Sequence, residues 1–416
     1  MTRKSLPTEG RDWETLEAEM RGLAKGDVDW RAGKLAVYIF NAGEDVLDVA
    51  HDAYGMFISE NGLGPLAFPS IATMEREVIE MGLSLLNAPD EGWGSLTSGG
   101  SESIMLATKA ARNFAKASKG LKPGEGEIIL PQTAHPAFDK AAGTLELQVK
   151  RIPVVMPGGA ADVAAMADAI TDKTVMMVGS APNFPYGVVD PIPELSALAV
   201  ERDVWLHVDA CVGGYFAPFA KKLGVDIPDF DFTNPGVRSI SADLHKYGYA
   251  PKGASTVFHR TADQGAFQTF EFDNWPGGHM FTPNMAGTRP AGAIAASWAV
   301  LNYLGEEGFL ETTRKALGAA NLLRAHIAGH NDLELIGDSR LALVGYRSNR
   351  HEAGQILGGM MERGWFSAFV SDPKGVHVMF SPKHIETVDT YIEDLTEVLA
   401  KLDAGADQDS QEVSYS

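Results

Sequence analysis

The chain has 416 residues, 45% hydrophobic and 22% charged, a composition that excludes wholesale disorder and provides for a sizeable core. Its 35 Lys and Arg against 55 Asp and Glu leave a net charge of −20, which repels phosphate backbones and anionic lipid, so no nucleic-acid partner is expected. The single cysteine, Cys211, makes no internal disulfide and no CxxC zinc pair, and a reducing, cytoplasmic compartment is the expectation.

At roughly 150 residues per domain, the length predicts two or three units. Residues 1–65 are taken as an N-terminal helical segment and arm, polar and moderately helical between Asp12 and Arg31. No signal or membrane anchor is expected there, and nowhere does an apolar run reach the roughly 18 residues of a spanning helix. Residues 62–69 (GLGPLAFP) form a Gly/Pro-punctuated loop, and Ile71, Met74, Val78, Met81 and Leu85 keep the spacing of an amphipathic helix.

Short β-branched runs at 128–130, 174–178, 204–208, 239–242 and 255–259 then end in polar clusters and alternate with helical stretches. That alternation predicts an α/β fold, with an open, mostly parallel mixed sheet in a large domain over 66–304. Reactive groups in such a sheet belong beyond the carboxyl ends of the strands. An Ala-rich helix predicted over 286–304 leads to Gly305. After it, a small C-terminal α/β domain over 305–403 alternates helices near 310–328, 352–363 and 385–402 with strands near 342–346 and 376–380. The acidic, small-residue tail at 404–416 is expected to be disordered.

Lys246 follows a strand end, with His245 before it and a glycine-containing turn after it. A desolvated lysine near other cations has a lowered pKa and forms imines, although an isolated lysine is more often a solvated surface charge. Asp209 ends a buried strand 37 residues earlier. A buried carboxylate needs a cationic partner, and the protonated pyridine nitrogen of pyridoxal phosphate is one; alone, such an aspartate reads equally as a metal ligand or a helix cap. Thr97-Ser98-Gly99-Gly100-Ser101-Glu102-Ser103 opens a helix whose free N–H groups suit a phosphate, or is simply a Ser/Gly cap, and it lacks the nucleotide P-loop pattern. His135, just after a strand, is placed to stack on a pyridine ring or to serve the structure alone.

The segments 207–211 (HVDAC) and 239–253 (SISADLHKYGYAPKG), with 97–103, 275–278 (WPGG) and 286–290 (AGTRP), resemble the sphingosine-1-phosphate lyases of the group II pyridoxal-phosphate decarboxylase superfamily. The resemblance covers about residues 61–365 and implies the fold-type-I, transferase-like architecture of pyridoxal-phosphate enzymes. It implies pyridoxal 5'-phosphate as cofactor, Lys246 as the imine-forming lysine, Asp209 as partner of the ring nitrogen and His135 as the stacking imidazole. Gly100, Ser101 and His245 match phosphate-binding positions, with Asp243 nearby. Gly287 and Thr288 match a loop that reaches the cofactor of a neighbouring subunit, which implies a homodimer with its site at the interface. Lys252 and Tyr186 resemble catalytic residues near the substrate, and Asn61 and Cys211 substrate neighbours.

Two departures bear on the substrate. Gly64 stands where the lyases carry a histidine that holds the substrate phosphate, and Gly277-Gly278-His279 leads to Met280 where they carry a tyrosine. The activity implied is retro-aldol carbon–carbon cleavage of a phosphorylated or anionic amino alcohol through an external aldimine. The alternatives are an amino-acid decarboxylase, with Arg340 or Arg347 as a carboxylate clamp, and a non-catalytic scaffold, against which Lys246, Asp209 and His135 count.

Overall fold

In the computed structural model, residues 3–405 are described, and the large unit is built on a seven-stranded sheet. Its strands are β1 (Trp93–Thr97), β2 (Glu127–Pro131), β3 (Gln148–Ile152), β4 (Thr174–Ser180), β5 (Trp205–Asp209), β6 (Val237–Ala242) and β7 (Ser255–His259). They lie in the order β1-β7-β6-β5-β4-β2-β3. In this sheet β7 runs against its neighbours β1 and β6, and the remaining pairs are parallel. The central strands β4 and β5 are buried along their whole length. A strand covered on both faces has no polar side to show, hence the continuous apolar runs.

The elements hardest to read were the sheet edges. β1 is Trp-Gly-Ser-Leu-Thr, which carries little strand propensity and is held by its register with β7. At the other edge β3 carries Lys150 and Arg151, charges of the kind that blunt edge-to-edge association. The helix foreseen over 71–86 is α3 (Pro69–Leu85), which starts two residues earlier at Pro69, and it is preceded by α1 (Trp13–Leu23) and α2 (Glu44–Met56) and followed by α4 (Gly100–Lys119).

The Ala-rich helix begins later than expected. Helix α5 spans Ala291–Gly329, while 286–290 is an irregular loop, bent at Gly287 and Thr288 and bridged at Pro290. Gly62 N–H donates to Arg289 O (3.0 Å) and Asn61 bridges Pro290, and these cross-chain bonds hold that stretch out of a helix. Gly305, with φ +53°, breaks α5 at the foreseen boundary between the units.

The small unit is an antiparallel sheet of β8 (Leu333–Ile336), β9 (Leu343–Ser348), β10 (Ala368–Ser371) and β11 (Lys374–Met379), in the order β8-β9-β11-β10. Helices α6 (Ala353–Glu362) and α7 (Val388–Asp403) cover it over a core that includes Trp365, Phe380 and Tyr391. The middle of the arm joins this unit, where Ala36 N–H donates to Phe366 O (2.9 Å) and Met379 N–H to Ala36 O (2.7 Å), while Val46 and Ala50 of α2 pack into the core of the large unit. The tail expectation for 404–416 falls, from residue 406 on, outside the described residues. Among the described residues no helix is long and apolar enough to cross a membrane.

Candidate active site

The parallel strands deliver their carboxyl ends to one edge, and the chemistry collects there. Asp209 closes β5 opposite Ser241 of β6, and the next turn brings Asp243 N–H to Cys211 O (3.2 Å). That turn is tightly wound: His245 N–H donates to Ala254 O (3.0 Å), Tyr249 N–H to Lys246 O (3.0 Å), and Tyr249 itself takes φ +57°. A left-handed tyrosine is costly unless its surroundings impose it. Here the bonds of the turn impose it, Ala250 N–H also donating to Leu244 O (3.0 Å).

Lys246 Nζ lies 3.0 Å from Asp243 Oδ2, and Asp243 is only 2% exposed. Burial alone would lower the amine's pKa, but the charge of Asp243, with Asp209 behind it, outweighs burial and raises it. The lowered pKa expected from sequence is therefore reversed. The cations foreseen around Lys246 share the space with a carboxylate in direct contact. Asp243 is held below its ordinary value, since Lys246, His245 and Ser255 more than offset its burial.

Asp209 Oδ1 accepts from Cys211 N–H (3.1 Å) and from Ser241 Oγ (3.4 Å). His135 stands on the loop after β2, where Ala137 N–H donates to its Nδ1 (3.1 Å). Burial lowers its pKa, and Asp209, Lys246 and Asp243 are the next charges it feels, so the imidazole sits among these groups and is neutral at ordinary pH. Arg151 fastens that loop by donating to Gln132 O (2.9 Å) and Ala134 O (3.0 Å) while pairing with Asp139.

The start of α4 faces the same edge. Glu102 and Ser103 N–H donate to Gly99 O, which leaves the N–H groups of Gly100 and Ser101 without intrahelical partners. A Cβ on Gly100 would stand 2.9 Å from both Asp243 oxygens and from Cys211 Sγ, so only glycine permits this approach. His245 Nδ1–H donates to Ala254 O (2.7 Å), and its Nε2 lies 3.6 Å from Asp243 Oδ2. Lys252 Nζ reaches His245 O (3.3 Å), and burial together with the charge of Lys246 lowers its pKa. Cys211, buried against Ser241, is held as a protonated thiol by burial and by Asp209.

Several foreseen residues are placed elsewhere in the chain. Tyr186 donates its hydroxyl to Asp372 O at the seam with the small unit. Asn61 caps its own loop at Leu63 N–H (3.0 Å) beside Pro290, next to the open loop of Gly287 and Thr288. Arg340 pairs with Asp226 and Asp338, and Arg347 with Glu334.

Three supports escaped the sequence reading. Glu102 accepts from Ser98 N–H (2.7 Å) and Met285 N–H (2.9 Å), tying the start of α4 to the loop that carries Gly287. Ser255 links Asp243 to Ser103 (2.8 Å), and Ser241 lies beside Asp209. The alternation Ser239, Ser241 on β6 was the available signal, a polar face on a strand buried at both residues.

A family model described as the pyridoxal-dependent decarboxylase conserved domain matches residues 1–349. The chain belongs to that family. It is 38% identical over 94% of its length to the sphingosine-1-phosphate lyase of Dictyostelium discoideum and covers 73% of that protein. To sphingosine-1-phosphate lyase 1 of Rattus norvegicus it is 37% identical over 92% of its length, covering 66% of that protein. The solved sphingosine-1-phosphate lyase of Burkholderia pseudomallei superposes with a TM-score of 0.92 at 35% identity, over 97% of this chain and 94% of that one.

As a member of this family the chain is a pyridoxal-phosphate-dependent carbon–carbon lyase. Its residues fit the cofactor: an amine on a constrained turn, a buried carboxylate for the ring nitrogen, a neutral imidazole, and a glycine cradle at a helix N-terminus.

Proposed function

We propose that the chain performs retro-aldol cleavage of a phosphorylated or otherwise anionic amino alcohol, as a homodimer with its sites at the subunit interface. The observation that supports this most is the gathering of Lys246, Asp243, Asp209 and His135 at one strand edge, in a chain so similar to lyases of that activity. Bound pyridoxal phosphate supplies the electron sink. In this reading Lys246 presents the amine that holds it, Asp209 keeps a negative charge against the ring nitrogen, and His135 offers its flat neutral face. Gly100, Ser101 and His245 take the phosphate.

Lys252 is the residue assigned to receive the β-hydroxyl proton. Its lowered pKa, set by burial and by Lys246, brings a neutral Nζ closer to working pH. Cys211, protonated and wedged between Asp209 and Gly100, would lie close to the bound substrate. Gly287 and Thr288, on a loop next to half-buried Asn61, are assigned with it to the partner's site. Tyr186, bound to Asp372 O, is assigned to holding the small unit in place.

A second reading, decarboxylation of an amino acid, has one observation in its favour. At Gly64 a Cβ would meet only Ala67 Cβ, at 3.7 Å, so space exists for a larger side chain but no imidazole grips a substrate phosphate there. Product analysis separates the two. Aldehyde with phosphoethanolamine supports cleavage, and carbon dioxide with an amine supports decarboxylation. Sedimentation of the active holoenzyme as a single chain removes the shared-site proposal.

A further inference from the structure

Behind Asp209 runs a buried file of polar side chains on β5 and β6: Trp205, Ser239, His207 and Ser241. All four residues are at most 1% exposed. Trp205 Nε1 lies 2.8 Å from Ser239 Oγ, which lies 2.8 Å from His207 Nδ1. His207 Nε2 lies 3.2 Å from Ser241 Oγ, and Ser241 Oγ lies 3.4 Å from Asp209 Oδ1. Cys211 Sγ approaches the same serine oxygen at 3.3 Å. The strand period places these side chains on one face, since residues two apart on adjacent strands in register share a side.

The chemistry of the end members fixes the direction of every bond. An indole N–H only donates and an ionised carboxylate only accepts. Burial lowers the pKa of His207 to about 4, so the ring is neutral and carries one N–H. Ser241 has one hydrogen. If it went to His207 Nε2, serine lone pairs would face Asp209 in a dry interior, an uncompensated polar contact. The hydrogen therefore goes to Asp209, and Ser241 accepts from His207 Nε2–H and from the Cys211 thiol. His207 Nδ1 must then accept, which Ser239 satisfies with its own hydrogen while receiving that of Trp205.

We propose that His207 is a positioning residue for the cofactor: as the Nε2–H tautomer it turns the Ser241 hydroxyl onto Asp209, completing a one-way chain of donors that holds this carboxylate in place for the ring nitrogen. This goes beyond the substrate question, since it concerns only the carboxylate that every use of the cofactor shares. Ionised carboxylates gain more from a donated hydrogen bond than neutral acceptors do. The link at 3.4 Å is the longest in the chain, and it is the one the test addresses.

The first test reads the relay in the wild-type protein. Long-range proton–nitrogen correlation spectra of apoprotein carrying nitrogen-15 histidine report which ring nitrogen bears the proton, with His207→Gln used to assign the signal. The Nε2–H tautomer is expected, and the Nδ1–H tautomer overturns the proposal. The second titrates pyridoxal phosphate into apoprotein and reads the visible band. Ser241→Ala is expected to bind about tenfold more weakly, the loss of one hydrogen bond to a charged group. His207→Asn, which lacks a donor at the Nε2 position, is expected to weaken binding similarly, and His207→Gln, which restores one, to recover it. Wild-type affinity in Ser241→Ala overturns the proposal, and this variant removes so little bulk that its fold is readily verified by circular dichroism.

Discussion

Lys246 Nζ stands 3.0 Å from Asp243 Oδ2 in a turn where both residues are fixed by backbone bonds. The pair carries the apoprotein's amine as an ammonium and its carboxylate as an anion. The raised pKa of Lys246 contributes stability that is complete below about 10 and is lost as pH climbs through the folded value. The depressed pKa of Asp243 contributes stability present above about 4 and lost in acid. The pair's contribution is therefore flat across neutral pH. Asp243→Asn in the apoprotein is expected to cost about 3 kcal/mol by urea unfolding at pH 7, the loss incurred when one member of a buried pair is removed. A change under about 0.5 kcal/mol would show that solvent screens the contact.

Gly100 brings the start of helix α4 against the same carboxylate. Gly100→Ala places a methyl 2.9 Å from the Asp243 oxygens and Cys211 Sγ, and the helix start must retreat. Overpacking of this kind costs about 1–3 kcal/mol, and it falls on the groups assigned to the phosphate. Apoprotein titrated with pyridoxal phosphate is expected to bind at least about tenfold more weakly in this variant. Equal affinity would move the phosphate away from this helix.

Lys252 and Tyr186 are separated by their contacts. Lys252→Met is expected to lower kcat about a hundredfold or more, the usual contribution of a positioned general base, with the visible band retained. Tyr186→Phe removes the hydroxyl that Asp372 O accepts, and is expected to cost about 1 kcal/mol of stability while leaving kcat within severalfold. Steady-state kinetics on both variants decide this, and the reverse pattern assigns the proton transfer to the tyrosine.

Four buried histidines make the fold acid-sensitive. His207, His259, His377 and His384 are each lowered by burial from 6.5 to about 4. A histidine depressed in the folded state binds its proton more readily when unfolded, so each contributes stability in full above 6.5 and loses it progressively down to about 4. Near pH 5 each is expected to remove about 1 kcal/mol per pH unit. Urea unfolding of the apoprotein at pH 7 and pH 5 checks this, with equal midpoints as the contrary result.

The large sheet and most of the site were legible because a buried parallel strand leaves a plain mark, an apolar run ended by a polar residue at its carboxyl end. Asp209 and Lys246, which the structure brings near one another, lie at or just past such strand ends. β1, with its glycine and serine, was hidden because its strand character comes from pairing with β7. The late start of α5 was hidden because bonds from Asn61 and Gly62, distant in sequence, decide it. The pKa of Lys246 was inverted for the same reason: its sign depends on a 3.0 Å contact with Asp243, whose carboxylate three residues away carried no mark of its role. Glu102 and Ser241 act by touching other elements, Met285 and Asp209, and nothing local advertises that.

Borohydride treatment of the yellow holoenzyme, followed by digestion and mass spectrometry of the peptides, locates the lysine that grips the coenzyme. The phosphopyridoxyl group is expected on Lys246 alone, with no labelling and no visible band in Lys246→Ala. A label on Lys252, or on any other lysine of the native protein, would contradict the account at its root.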